Sequence, residues 1–346
     1  MWASAAWTAV CASLFSCPYS RQYLPHEGEA GMMVRLLAPA RLALPAQLPV
    51  RGVAPSTVRG MTPSMSLLTP PVCHTIGEIA TTAVCSGTCA LIAQLVLLTA
   101  FRRSSSRWLR ESAGYTAHHI IALAFMVIAT VVGFAGWFSP AAATASAASR
   151  MLVADGTARW LGAVLFGELL LWDFPCSIFI KLLREPVMLA HHVGLLATAA
   201  LALRLPLFWG TFYLGWAELS NVPLQIWDTA KHAYAVAVEH SAAASTERRL
   251  AQVRDTSYSV FCALFFLVRV VGFTAITACG LFPDAQAVLP TAAAARLPIQ
   301  LFLGLGTAFN CLMLYWFAGA VWGAVKPAAS PTGSESVPRW QSDRPV

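Results

Sequence analysis

Charge is what this sequence has least of. Of 346 residues only 11% are charged, 23 Lys and Arg with 16 Asp and Glu, against 57% hydrophobic. A soluble domain carries about 25% charged residues, and disorder needs high charge with little apolar content. Both classes are excluded for the body of the chain. From Ala30 to Gly77 there is no acid at all. No glycine-rich phosphate loop or dinucleotide fingerprint is present, and no Cys/His spacing matches a zinc centre, so no metal ligands are assigned. The nine cysteines form no framework; Cys85, Cys89, Cys176, Cys262, Cys279 and Cys311 lie inside apolar runs, where a free thiol behaves as a small hydrophobe. The net charge of +7 is not gathered into a basic stripe with interleaved aromatics, which excludes nucleic acid as a partner.

What is there instead is a series of long apolar runs. A bilayer core needs roughly 20 mostly apolar residues per helix, and seven windows qualify: Ile76–Phe101, Tyr115–Phe138, Trp160–Ile180, Val187–Leu203, Leu205–Trp227, Thr256–Leu281 and Leu297–Val325. The fold expected is all-α, a polytopic transmembrane helical bundle of about seven spans. Arg102, Arg103, Arg107, Arg110, Lys181, Arg184, Lys231, Arg248, Arg249 and Arg254 fall in alternate loops, opposed by Arg150, Arg159, Arg204 and Arg296. The richer set faces the cytoplasm or its equivalent. The acid-free, Arg- and Pro-containing N-terminus resembles an organelle transit peptide; a disordered extension, or a start at a later Met such as Met61, are the alternatives.

An ionisable residue inside a span costs about 2.5–3.5 kcal/mol on insertion scales and marks a candidate site. Five charged residues lie in the windows: Glu78 near an end, and Glu168, Asp173, Glu218 and Arg269 deeper. His118 and His119 open the second window, and His191 and His192 lie in the fourth. Neighbouring residues on a helix point about 100° apart, so only one imidazole of each pair can face a given cavity. Together these groups suggest a shared polar cavity, with structural hydrogen bonding as the alternative for any single histidine. Glu218, Asn221 and Gln225 recur at i, i+3 and i+7, one polar stripe that lines either a cavity or a helix–helix seam. Ser220 lies within the same string. Pro223 removes a backbone donor there. Arg269, the one deep cation, requires an acid among Glu168, Asp173 and Glu218, because an unpaired buried charge is very costly. Asn310 is the last intramembrane amide, a cavity residue or interhelical glue.

The order of these residues resembles the TLC domain of ceramide synthases and other TLC-domain membrane proteins. Trp108 and Arg110 precede Thr116 and His118. Asp173 follows, then Met188 with His191 and His192, then Glu218-Leu219-Ser220-Asn221, Arg269, and a closing Leu314-Tyr315-Trp316-Phe317. The similarity covers roughly Arg107 to Lys326. Ceramide synthases carry Thr after the double His, later two aspartates and an Ala-Lys. Here Val193 follows His192, Glu218 and Asn221 stand near the aspartate positions, and Ala230-Lys231 comes a few residues late. The pattern is closer to the non-synthase branch.

The chain is expected to divide into an N-terminal extension (1–71), a first transmembrane helix (72–104), a TLC-type domain (105–326), the part the resemblance covers, and a C-terminal tail (327–346). The resemblance carries further expectations. It implies a role in lipid homeostasis by lipid sensing, binding or transport, with membrane lipids as partners and no cofactor. His118, Glu168, Glu218, Ser220, Asn221, Gln225, Arg269 and Asn310 would line the lipid site. The alternative is an acyl-CoA-dependent acyltransferase in which His191 or His192 is the general base and Asp173 its partner, with acyl-CoA as co-substrate. A structural or transport role in a membrane complex is a third class. The endoplasmic reticulum is the expected membrane, with a plastid or other organelle envelope as the alternative. Oligomeric state is left open.

Overall fold

The computed structural model describes residues 75–139, 145–205, 207–240 and 242–325. The expected N-terminal extension and C-terminal tail lie outside the described residues. Those that are described are helical, with no strand among them. The described residues fall in the unit Leu44–Leu314, apart from 315–325, the end of the last described helix, which falls in the second unit.

Helix α1 (Ile76–Arg102) begins with a capping box: the Thr75 hydroxyl accepts from the Glu78 N–H, and the Glu78 carboxylate accepts from the Thr75 N–H. This satisfies two of the donors every helix start leaves free and places Glu78 at a helix end. α2 (Ala113–Trp137) follows a short helix, Arg107–Glu111. α3 (Gly156–Glu168) starts at the Asp155 cap, passes through a π-turn at Leu169–Asp173 and ends as Phe174–Phe179. α4 (Pro186–Arg204) has Pro186 at its first position, where a missing N–H costs nothing. α5 (Asn221–Glu239) and α6 (Ala244–Leu264, continuing to Val288) form a hairpin, and α7 (Arg296–Val325) is the last helix among the described residues.

Six helices among the described residues are long and apolar enough to cross a membrane. The fifth window, Leu205–Trp227, is not one helix. It is divided into a four-residue helix Gly210–Tyr213, a 3-10 turn Trp216–Ser220, and the start of α5. The break has a packing cause. A Cβ on Gly215 would lie 2.6 Å from the Cα of Gly133, and one on Gly133 would lie 2.3 Å from the Trp216 nitrogen. The α2 backbone therefore runs directly against the 213–216 backbone, which has left helical geometry at Gly215 (φ −129°, ψ −87°). Irregular backbone at such a depth is tolerated where protein surrounds it; Thr211, Phe212, Leu214 and Ala217 are all buried. Pro223 stands third in α5, in the turn whose N–H groups have no intrahelical partner, so it marks a helix start rather than a kink.

The largest apolar cluster gathers around this broken segment, with Leu207, Trp209, Phe212 and Tyr213 meeting Phe273 of α6 and Phe302 of α7. A second, smaller cluster joins α2, α3 and α4 through Ala129, Leu161 and Ala199. On the side opposite the arginine-rich loops, Arg150 grips Asp284 through two bonds of 2.6 Å, Nε to Oδ2 and Nη2 to Oδ1. Charge-assisted pairs contribute about 1.5–3 kcal/mol. Asp284→Asn is therefore expected to lower the thermal unfolding midpoint in detergent, whereas Glu247→Gln, on the α5–α6 hairpin, leaves it unchanged.

Candidate functional site

Three of the groups the sequence singles out are brought to one point. Asp173 Oδ1 lies 2.7 Å from Nε2 of His118, and its Oδ2 lies 3.2 Å from Nδ1 of His192. One carboxylate thus faces imidazoles from α2 and α4. The His118 contact is a good hydrogen bond; the His192 contact is close but not aligned for one.

The π-turn explains why Asp173 is available. An α-helix would leave residues five apart about 140° from each other. Here the Phe174 N–H bonds the Leu169 carbonyl five residues back, which widens the turn and brings Glu168 and Asp173 towards one face. Glu168 is 2% exposed and has no hydrogen-bond partner among the described residues. The charged groups bearing on it are Asp173 and Glu218.

Arg269 stands in a second π-segment, Phe265–Gly272. Its Nη2 donates to Glu218 Oε1 at 3.0 Å and its Nε to the Ser220 hydroxyl at 3.2 Å. Glu218 Oε2 accepts in turn from Asn221 at 2.6 Å. Electroneutrality required an acid for Arg269, and of the three candidates it is Glu218. Arg269 also borders a cavity of about 20 Å³ with Thr198, Tyr213, Phe302 and Phe309, room for roughly one water.

The histidines divide as adjacent helical positions must. His119 turns away from His118 and pairs with Gln225, and Asn221 approaches the Met126 sulfur at 4.0 Å. The stripe on α5 thus forms a seam with α2, while Glu218 at its head turns to Arg269. His191 packs edge-on to Phe309, ring centres 5.5 Å apart. Asn310 accepts from Thr274 at 3.0 Å and ties α7 to α6, apart from the Asp173 group.

Sequence reasoning missed the support beneath His118. Its ring stacks on Trp172 at 4.7 Å, the Trp172 N–H points at Gln94 Oε1 at 3.4 Å, and the Gln94 amide donates to the Gly114 carbonyl at 3.0 Å. Gln94 is the one amide in the first apolar window, which was the signal available. Among the described residues no group of three or more His, Cys, Asp and Glu is placed to hold a metal ion.

No curated protein and no solved structure gives a match to the chain. The family model of the TLC domain matches residues 119–319, more than half of the chain and the stretch holding every residue of the Asp173 and Arg269 groups except His118. A multi-pass bundle with this sequence belongs to the TLC-domain family.

Proposed function

We propose that this membrane protein acts in lipid homeostasis by binding, sensing or moving a membrane lipid whose polar group enters between α2, α3 and α4. The observation that carries this reading is Glu168. A buried carboxyl without a protein donor calls for a partner, and a lipid hydroxyl or amide N–H supplies one. Intramembrane ionisable groups that face a bundle interior are a common mark of such sites. The reading needs no turnover. Lipid profiles of cells lacking the protein are compared with those of cells carrying wild type or Glu168→Ala. Deletion is expected to shift the profile, and Glu168→Ala to fail to restore it. An unchanged profile on deletion would overturn the proposal.

One observation favours a second reading, an acyl-CoA-dependent acyltransferase. The Asp173 carboxylate lies 3.2 Å from Nδ1 of His192, out of line for a hydrogen bond. A turn of the ring into line would give the arrangement in which a carboxylate orients a catalytic histidine, with Nε2 left to take a proton. General-base catalysis contributes about 10²–10⁴-fold. Microsomes given a sphingoid base and acyl-CoA distinguish the two: product that is lost in His192→Ala and Asp173→Asn supports the enzyme, and absence of product supports the lipid-binding protein. We place it in the endoplasmic reticulum membrane, with an organelle envelope as the alternative.

A further inference from the structure

The connection between α1 and α2 has features that the lipid site does not use. It reads Arg102-Arg103-Ser104-Ser105-Ser106-Arg107-Trp108-Leu109-Arg110-Glu111, and it lies on the arginine-rich side of the bundle. α1 ends at Arg102 and the short helix begins at Arg107, so 103–106 is non-helical backbone. The three serines differ within it. The Ser104 hydroxyl accepts from the Ser106 N–H at 3.1 Å, and Ser106 is the residue that starts the next helix. Ser105 is exposed, and its hydroxyl makes no hydrogen bond among the described residues. Two exposed arginines stand two and three residues before it. Arg110 donates to the carbonyls of Ser104 and Ser105 at 2.7 and 2.9 Å, so a guanidinium already lies against Ser105.

We infer that Ser105 is a phosphorylation site for an arginine-directed protein kinase, and that the phosphate loosens the α1–α2 connection from the α5–α6 hairpin. Charge patterns set kinase–substrate pairing, and Arg102 and Arg103 present a doubled positive charge to an acidic kinase cleft. In the transfer the Ser105 oxygen bonds the γ-phosphorus of ATP, the bond from that phosphorus to the β,γ-bridging oxygen breaks, ADP leaves, and the hydroxyl proton is released to the kinase base. The added charge of about −1.5 to −2 pairs best with arginine.

Arg107, two residues after Ser105 in the chain, is already engaged. Arg107 Nε holds Glu111 Oε1 at 2.7 Å, and Glu111 Oε2 lies 3.2 Å from Nε2 of His240, at the end of α5. Arg107 and then His240 hold the Glu111 carboxyl below its ordinary value. A phosphate on Ser105 competes for Arg107 and repels Glu111. The Glu111–His240 tie, the polar link from this connection to the hairpin tip, is weakened.

The full-length protein in detergent is incubated with ATP and the catalytic subunit of the cyclic-AMP-dependent kinase, then analysed by mass spectrometry and amide hydrogen exchange. The expected result is phosphate on Ser105, kept in Ser104→Ala and Ser106→Ala, and lost in Ser105→Ala and in the Arg102→Gln, Arg103→Gln double variant. Exchange around His240 is expected to speed up on phosphorylation, and to the same degree in unphosphorylated Glu111→Gln. Phosphate on Ser104 or Ser106 instead, or none, overturns the site. Phosphate on Ser105 with unchanged exchange at His240 overturns the coupling.

Discussion

Arg269→Ala is expected to prevent recovery of folded protein, the largest single loss among polar substitutions in this chain. Arg269 is 5% exposed and its partner Glu218 is 3% exposed. Deleting one member of such a pair leaves the other charged and uncompensated, which costs about 3–5 kcal/mol. Here more than a pair is lost. Ser220 loses its donor from Arg269, and Glu218 keeps only Asn221. These residues sit on the 3-10 turn that joins the broken segment to α5, so the damage falls where the backbone has least helical support. Removing both charges together is far milder, because apolar replacements of similar volume are often neutral. Arg269→Met with Glu218→Leu is therefore expected to recover a monodisperse peak in detergent size-exclusion chromatography that Arg269→Ala lacks. Equal recovery of the single and double variants would show that the pair does not hold the fold.

The positions of the spans were legible because a bilayer imposes length and composition at once. Ile76–Arg102, Ala113–Trp137 and Pro186–Arg204 follow the apolar windows to within a few residues. The exception is instructive. Leu205–Trp227 has the hydropathy of a span, but its backbone is decided by Gly133 lying against Gly215, a contact 82 residues apart in sequence that no local pattern encodes. The amphipathic hairpin of α5 and α6 was hidden for a related reason, since the first turns of α6 carry Glu247, Arg248, Arg249, Arg254 and Asp255 and read as loop by charge alone.

The site was legible as a set of residues and not as an arrangement. The cost of a buried charge was enough to single out Glu168, Asp173, Glu218 and Arg269, and electroneutrality restricted the partner of Arg269 to three acids. Neither rule could say that Glu218 takes Arg269 while Asp173 takes His118. That division depends on π-turns at Leu169–Asp173 and Phe265–Gly272, which no residue type announces and which rotate the acid and the arginine relative to regular helices. Wide turns of this kind are frequent at functional sites.

Gly167→Val is expected to be nearly as damaging as Arg269→Ala, although Gly167 has no side chain to offer the site. A Cβ there would lie 1.8 Å from the Ala83 carbonyl oxygen and 2.5 Å from its carbon. Both are backbone atoms of α1, so no side chain can rotate away and the whole helix must shift. Overpacking typically costs about 1–3 kcal/mol when side chains can adjust, and here they cannot. α1 is also held to α3 by the bond from Ser86 to the Val164 carbonyl at 3.0 Å, and it carries Gln94, which supports Trp172 beneath His118. Displacing α1 therefore reaches the candidate site from outside it. Gly304 provides the control, since a Cβ there meets nothing within 4 Å. Thermal unfolding in detergent is expected to rank Gly304→Ala with wild type, Gly167→Ala well below, and Gly167→Val lowest or unrecoverable. If Gly167→Ala unfolds with Gly304→Ala, the close crossing of α1 and α3 is not what sets the position of α1, and the support of His118 must come from α2 and α3 alone.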